Sequence, residues 1–119
     1  MNNIIFYDML GNRLTHYFQW DINQYMVVDG LVTDPLPVFQ FANRRRCVSR
    51  TVVPSIAVDG KLIAKVPNEF FEEPDDIHVY IYRETSTGAA RTLGEIRVKV
   101  IPRKKPESFD GDNENEVNV

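Results

Sequence analysis

Apolar and polar residues alternate with a period of two along most of this chain. The stretch EIRVKVI (95–101) sets Ile96, Val98 and Val100 against Glu95, Arg97 and Lys99, the pattern of a strand with one buried face. IHVYIYRE (77–84) repeats it, with Ile77, Val79 and Ile81 on one face and His78, Tyr80 and Tyr82 on the other. Further strands are predicted at 3–7, 14–20, 24–28, 38–42, 47–53 and 61–66, all rich in β-branched or aromatic residues. Turn signals separate them. DMLGN (8–12), VDGL (28–31), VDGK (58–61) and STGA (86–89) each carry a glycine, and TDPLP (33–37) and VVP (52–54) are proline stops. Short strands at this spacing predict an all-β protein, an antiparallel sandwich or barrel. One segment departs from the pattern: PNEFFEEP (67–74), bounded by prolines and with Asn68 able to cap, predicts a single helical turn.

After Ile101 the alternation stops. Residues 1–101 read as one β domain and residues 102–119 as an extended, proline-containing, acidic C-terminal arm, with Pro106 biasing Lys105 away from helix. The chain has 119 residues and a formal charge of −3, unevenly spread. Five of its 17 acids and none of its 14 bases lie in 107–119, which leaves 14 bases against 12 acids in the rest. Such an acidic stretch is expected to be solvated, with Phe109, Val117 and Val119 as its only apolar anchors for a partner. DGDNENE (110–116) begins like a calcium loop, but Asn115 stands where the sharp turn needs glycine, so no metal is expected.

The chemistry of an enzyme is missing from the sequence. There is no G-x-S-x-G elbow, phosphate-binding loop, dinucleotide-binding glycine pattern or H-E-x-x-H. Cys47, beside Val48 in a β-branched run, reads as a buried inert thiol; His16 and His78 lack a second ligand at metal spacing. The expectation is a protein without catalytic role or cofactor. No apolar run approaches the ~18 residues of a membrane span and no secretory signal opens the chain, so synthesis and assembly in a cytoplasm are expected.

Two clusters invite a binding role. NRRRCVSR (43–50) gathers Arg44, Arg45, Arg46 and Arg50 near Phe39 and Phe41, a combination able to grip single-stranded nucleic acid. The patch is short, no second basic stripe follows it, and the sequence pI is about 5.3, so a protein partner bearing acids is preferred. HYFQWDINQYMVVDG (16–30) holds the single tryptophan. If 14–20 is one strand, Leu14, His16, Phe18 and Trp20 share a face, and a face so apolar is expected to be core. Asp21 and Asn23 would then fold onto the local backbone as a polar corner. The alternative is a carbohydrate platform built from Trp20 with Tyr17, Tyr80 and Tyr82.

Taken in order, YFQWDINQ (17–24), PVFQFANRR (37–45), VVPS (52–55), DGKLIAKVPNEFF (59–71) and VYIYRETSTGAARTLGEIRVKVIPRKKP (79–106) resemble the N-terminal domain of bacteriophage baseplate and tail-fibre proteins. The type is the upper-baseplate one of phages that infect Gram-positive bacteria. The resemblance implies an immunoglobulin-like sandwich with no catalytic role, which fixes a receptor-binding or fibre protein to the tail through contacts with other virion proteins, several copies of itself among them. It implies location in the virion. Family members pass from the proline-rich exit into a helical stalk, whereas here an acidic stretch follows.

Overall fold

The structure, a computed structural model, describes residues 3–84, 88 and 90–107. They form nine strands and one 3-10 turn: β1 (Ile5–Tyr7), β2 (His16–Phe18), β3 (Tyr25–Asp29), β4 (Val38–Asn43), β5 (Val48–Val52), β6 (Ser55–Ile56), β7 (Leu62–Lys65), the turn η1 (Asn68–Phe71), β8 (Ile77–Glu84) and β9 (Ala90–Ile101). The protein is all-β. A four-stranded sheet has the order β1-β3-β7-β6, and a five-stranded sheet has the order β2-β9-β8-β4-β5.

Alternation along the strands decides what the sheets enclose. Met26 and Val28 of β3, with Leu62 and Ala64 of β7, turn inward from the first sheet. Phe39 and Phe41 of β4, Ile77, Val79 and Ile81 of β8, and Val98 and Val100 of β9 turn inward from the second. All are at most 1% exposed and belong to one core. The 3-10 turn closes its end with Phe70 and Phe71, both fully buried. Their burial explains a polar, acid-flanked segment that still holds its place: two aromatic side chains contribute several kilocalories each to anchoring it.

Strand pairing departs from expectation in one place. Every neighbouring pair is antiparallel except β2 and β9, which run parallel with Tyr17 opposite Val100. The chain leaves the first sheet after β1, makes a turn in which the Asp8 carboxylate accepts from the backbone N–H groups of Leu10 and Asn12, and adds β2 to the edge of the second sheet. It then returns to the first sheet at β3. That crossing fixes the direction of β2. A glycine makes a second close approach possible. Gly30 has a φ of 95°, and a Cβ built there would overlap the backbone carbonyl oxygen of Asn3. Only glycine meets both demands.

The helical turn lies where the sequence places it, but it is not capped by Asn68. Pro67 is the cap residue and makes no side-chain bond. The Asn68 Oδ1 instead accepts from the backbone N–H of Asn23 at 2.9 Å, tying the turn to the segment before β3.

A polar sheet face and an arginine loop

The five-stranded sheet has an outward face that no other described element covers. Its register sets out rows of side chains. Gln40, Tyr80 and Glu95 lie side by side across β4, β8 and β9; Ala42, His78 and Arg97 form the next row, and Val38, Tyr82 and Thr92 a third. Ser49 and Thr51 of β5 extend the face at one edge, and His16 and Phe18 of β2 at the other. Glu95, Arg97 and Lys99 are exposed, while His78, Tyr80 and Tyr82 are half-buried among them. The Tyr80 hydroxyl lies 3.4 Å from His78 Nδ1.

Two clefts open beside His78. One, of about 260 Å³, is lined by Arg44, His78, Tyr80, Glu95, Ile96 and Arg97. The other, of about 320 Å³, lies between Asn43, Arg44 and Arg45 on one side and Pro74, Asp75 and Asp76 on the other. Arg44 stands between them and lines both.

The structure thus brings the arginine loop to the sheet face, but it treats the three arginines differently. Arg45 Nη1 meets the Asp75 carboxylate at 3.2 Å, although its side chain is 82% exposed. Arg46 is half-buried: its backbone N–H donates to Asn43 Oδ1 at 3.0 Å and its Nη2 to the Glu69 carbonyl at 3.4 Å. Arg50 grips the Glu69 carboxylate with Nε at 2.8 Å and Nη2 at 3.2 Å. Only Arg44 of the four makes no ion pair or side-chain hydrogen bond among the described residues. Three of these cations therefore serve first to bind the loop to the segment 69–75, an intramolecular role that a sequence pattern of consecutive bases does not reveal. Asn43, 1% exposed, anchors the loop from below.

Cys47 is not the buried thiol the sequence leads one to expect. It is exposed, with a φ of 55°, in the turn before β5, and its Sγ lies 3.8 Å from the Arg44 carbonyl. The β-branched run begins at Val48, and the cysteine belongs to the arginine turn instead.

The aromatic segment is also turned over. β2 spans only His16–Phe18, and it is Tyr17, 3% exposed, that enters the core, packing edge-on against Phe71 at 5.1 Å. His16 and Phe18 face outward, in edge-to-face contact at 5.0 Å. Trp20 lies beyond the strand in a turn, with a φ of 71° and a half-buried ring. For His16 and Phe18 the expected core face is therefore the outer one, while Leu14, ahead of the strand, packs against the core as expected. A three-residue strand followed by a left-handed residue cannot carry one alternation from Leu14 to Trp20. The polar corner is present: Asp21 Oδ2 accepts from the backbone N–H of Phe18 at 3.0 Å. Burial in the core, and next the charges of Asp8 and Asp21, push the Tyr17 hydroxyl well above the ordinary phenol pKa. Its oxygen has no hydrogen-bond partner among the described residues. With Tyr17 inside, the carbohydrate platform loses one of its rings.

Trp20 has a different task. The Gln19 backbone N–H donates to the Ile101 carbonyl at 2.8 Å, the Arg103 N–H donates to Gln19 Oε1 at 3.3 Å, and Lys105 Nζ lies over the Trp20 ring at 5.0 Å. The stretch leaving β9 is held against the 18–21 turn. The remaining candidates of the arm, Phe109, Val117 and Val119, lie outside the described residues, as does the acidic DGDNENE stretch.

A third cleft, of about 280 Å³, lies on the other sheet between the 8–11 turn and the 57–61 turn. There Lys61 Nζ sits 3.2 Å from Asp59 Oδ2, and hydrogen bonds from Lys61 lower the Asp59 pKa. Among the described residues no group of three or more His, Cys, Asp or Glu side chains is placed to hold a metal ion, and no helix is long and apolar enough to cross a membrane. Comparison with protein-family models, with curated proteins and with solved structures finds no match to this chain.

Proposed function

We propose that this chain is a non-catalytic structural protein of a bacteriophage particle, an adaptor or attachment module of the tail, baseplate, fibre or virion surface that works through protein–protein contacts. The observation that carries the reading is the open face of the five-stranded sheet. It is broad and continuous, it is populated by tyrosine, histidine and arginine, and its exposed Arg44, Glu95 and Arg97 have no partners among the described residues. Side chains of these kinds, with aromatic bodies and polar tips, are enriched where proteins meet.

Two further features support it. Lettered in chain order, with β2 and β5 as additional edge strands, β1-β3-β7-β6 and β9-β8-β4 correspond to the A-B-E-D and G-F-C strands of an immunoglobulin-type sandwich. This favours the immunoglobulin-like form that the resemblance implies. The clamp of residues 101–105 onto the 18–21 turn gives the departing chain a set direction, as an attachment module requires. The test is particle composition: the protein should remain with extensively washed virions at a fixed copy number per tail. Its loss on washing, while known tail proteins are retained, would overturn the reading.

A further inference from the structure

The open face is polarised along its strands. On β9, Glu95 points outward, and two residues further on Arg97 points outward from the same face, about 7 Å away along the strand. Arg44 and Lys99 reinforce the basic half, and Glu84, exposed at the end of β8, lies towards the acidic half. Neither Glu95 nor Arg97 has an ion-pair or hydrogen-bond partner among the described residues. A surface carrying both signs, unpaired and separated along one direction, is complementary to its own image turned end for end.

We propose that this face docks a second copy of the same chain about a twofold axis that lies between the two faces and runs across the strands. Such an axis reverses strand direction but leaves each strand over its own counterpart. With the axis at the level of Ile96, Arg97 meets the partner's Glu95, and by symmetry Glu95 meets the partner's Arg97, the reciprocal contact of an isologous interface. On β8, Tyr80 faces the partner's His78 in both directions. On β4, Gln40 lies over the partner's Ala42, a long side chain over a short one. An axis along the strands would instead keep Glu95 level with the partner's Glu95 and Arg97 level with the partner's Arg97, so that opposite charges would not meet, and the charge pattern favours the first arrangement.

Size sets the strength. Five strands at about 4.8 Å spacing and some 20 Å of length present roughly 500 Å² per copy, about 1,000 Å² in all, the lower limit of specific association. The dimer is therefore weak in isolation, micromolar to millimolar, and gains strength where many copies are held together. The inference goes beyond the particle reading and does not depend on it.

Charge exchange tests it directly. Sedimentation velocity on the full chain, from micromolar to millimolar concentration, should show a monomer–dimer equilibrium that weakens with salt. Glu95→Arg and Arg97→Glu should each raise the dissociation constant roughly tenfold or more. The double variant should return to within about threefold of wild type, because the swapped pairs re-form. Thermal melts serve as the control for folding, and both sites are exposed. A wild-type monomer at all concentrations overturns the proposal. So does a dimer indifferent to either reversal, or a double variant no better than the single ones. A chain that stays monomeric yet remains on washed virions removes the dimer alone; one that dimerises but is absent from them removes the particle reading alone.

Discussion

Two sets of aromatic rings meet around β2, one inside the protein and one outside. Inside, Tyr17, Phe71, Phe70, Phe41 and Phe39 are each no more than 3% exposed; Tyr17 meets Phe71 at a centroid distance of 5.1 Å, and Phe41 lies between Phe70 at 6.4 Å and Phe39 at 6.3 Å. Outside, Phe18 is 42% exposed against His16, and Trp20 lies beneath Lys105. The two sets are joined by a backbone bond, Trp20 N–H to the Phe71 carbonyl at 2.8 Å. Ring size does not tell them apart. The inner rings are held by the area they remove from water and by the void that would replace them. The outer ones are held by a cation and by the backbone of a tight turn, and they stabilise local geometry more than the fold.

The largest effect should follow from opening the inner set. Phe41→Ala is expected to cost about 3–5 kcal/mol, a large share of the stability of a domain this size, read as a fall in the urea midpoint. A midpoint within about 1 kcal/mol of wild type would mean that the core can collapse around the gap, and that the inner rings are no more committed than the outer.

Tyr17 sharpens the contrast through pH. Burial holds its hydroxyl neutral in the fold, whereas in the unfolded chain it ionises near pH 10. Below that pH both states keep the proton and Tyr17 adds no pH dependence. Above it the unfolded chain alone releases the proton, so stability falls with rising pH, by up to about 1.4 kcal/mol per pH unit. Tyr17→Phe should remove that component of the slope between pH 10 and 11. It also deletes a buried hydroxyl without a partner and should leave neutral stability unchanged or slightly raised. An identical alkaline slope in the variant would place the hydroxyl in contact with solvent.

For the outer set, Trp20→Ala should cost only about 1–2 kcal/mol, since a cation–π contact and half a ring's burial are lost. Lys105→Gln should shift the tryptophan emission with little change in melting. A loss for Trp20→Ala as large as that for Phe41→Ala would erase the distinction. Smallest of all, Arg45→Ala breaks a pair whose arginine is 82% exposed and should change stability by no more than about 0.5 kcal/mol in a denaturant titration.

The long strands were legible because alternation over many residues has one solution. β8 and the latter part of β9 follow their apolar positions, and each predicted glycine turn holds a glycine with positive φ. Short elements were not. In β2 a single left-handed residue at Trp20 ends the strand, and no periodicity over three residues tells which face is in. The parallel pairing of β2 with β9 is a property of the crossing between sheets, which local pattern does not encode. At the site, the outward His78, Tyr80 and Tyr82 could be read from the sequence, and the arginine loop could be marked. That Asp75 and Glu69 engage most of that loop, leaving Arg44 for the clefts, depends on contacts across 19–30 positions of chain.

The exposed Cys47 has an experimental consequence. It is the sole thiol of the chain, it stands in the turn that carries Arg44, and the sole tryptophan marks the opposite edge of the same sheet. A maleimide-coupled nitroxide or dye placed there reports on the mouth of the open face with no engineered cysteine and no background labelling. The protein thus supplies its own spectroscopic coordinates, one native handle beside the face and one native fluorophore beside the exit.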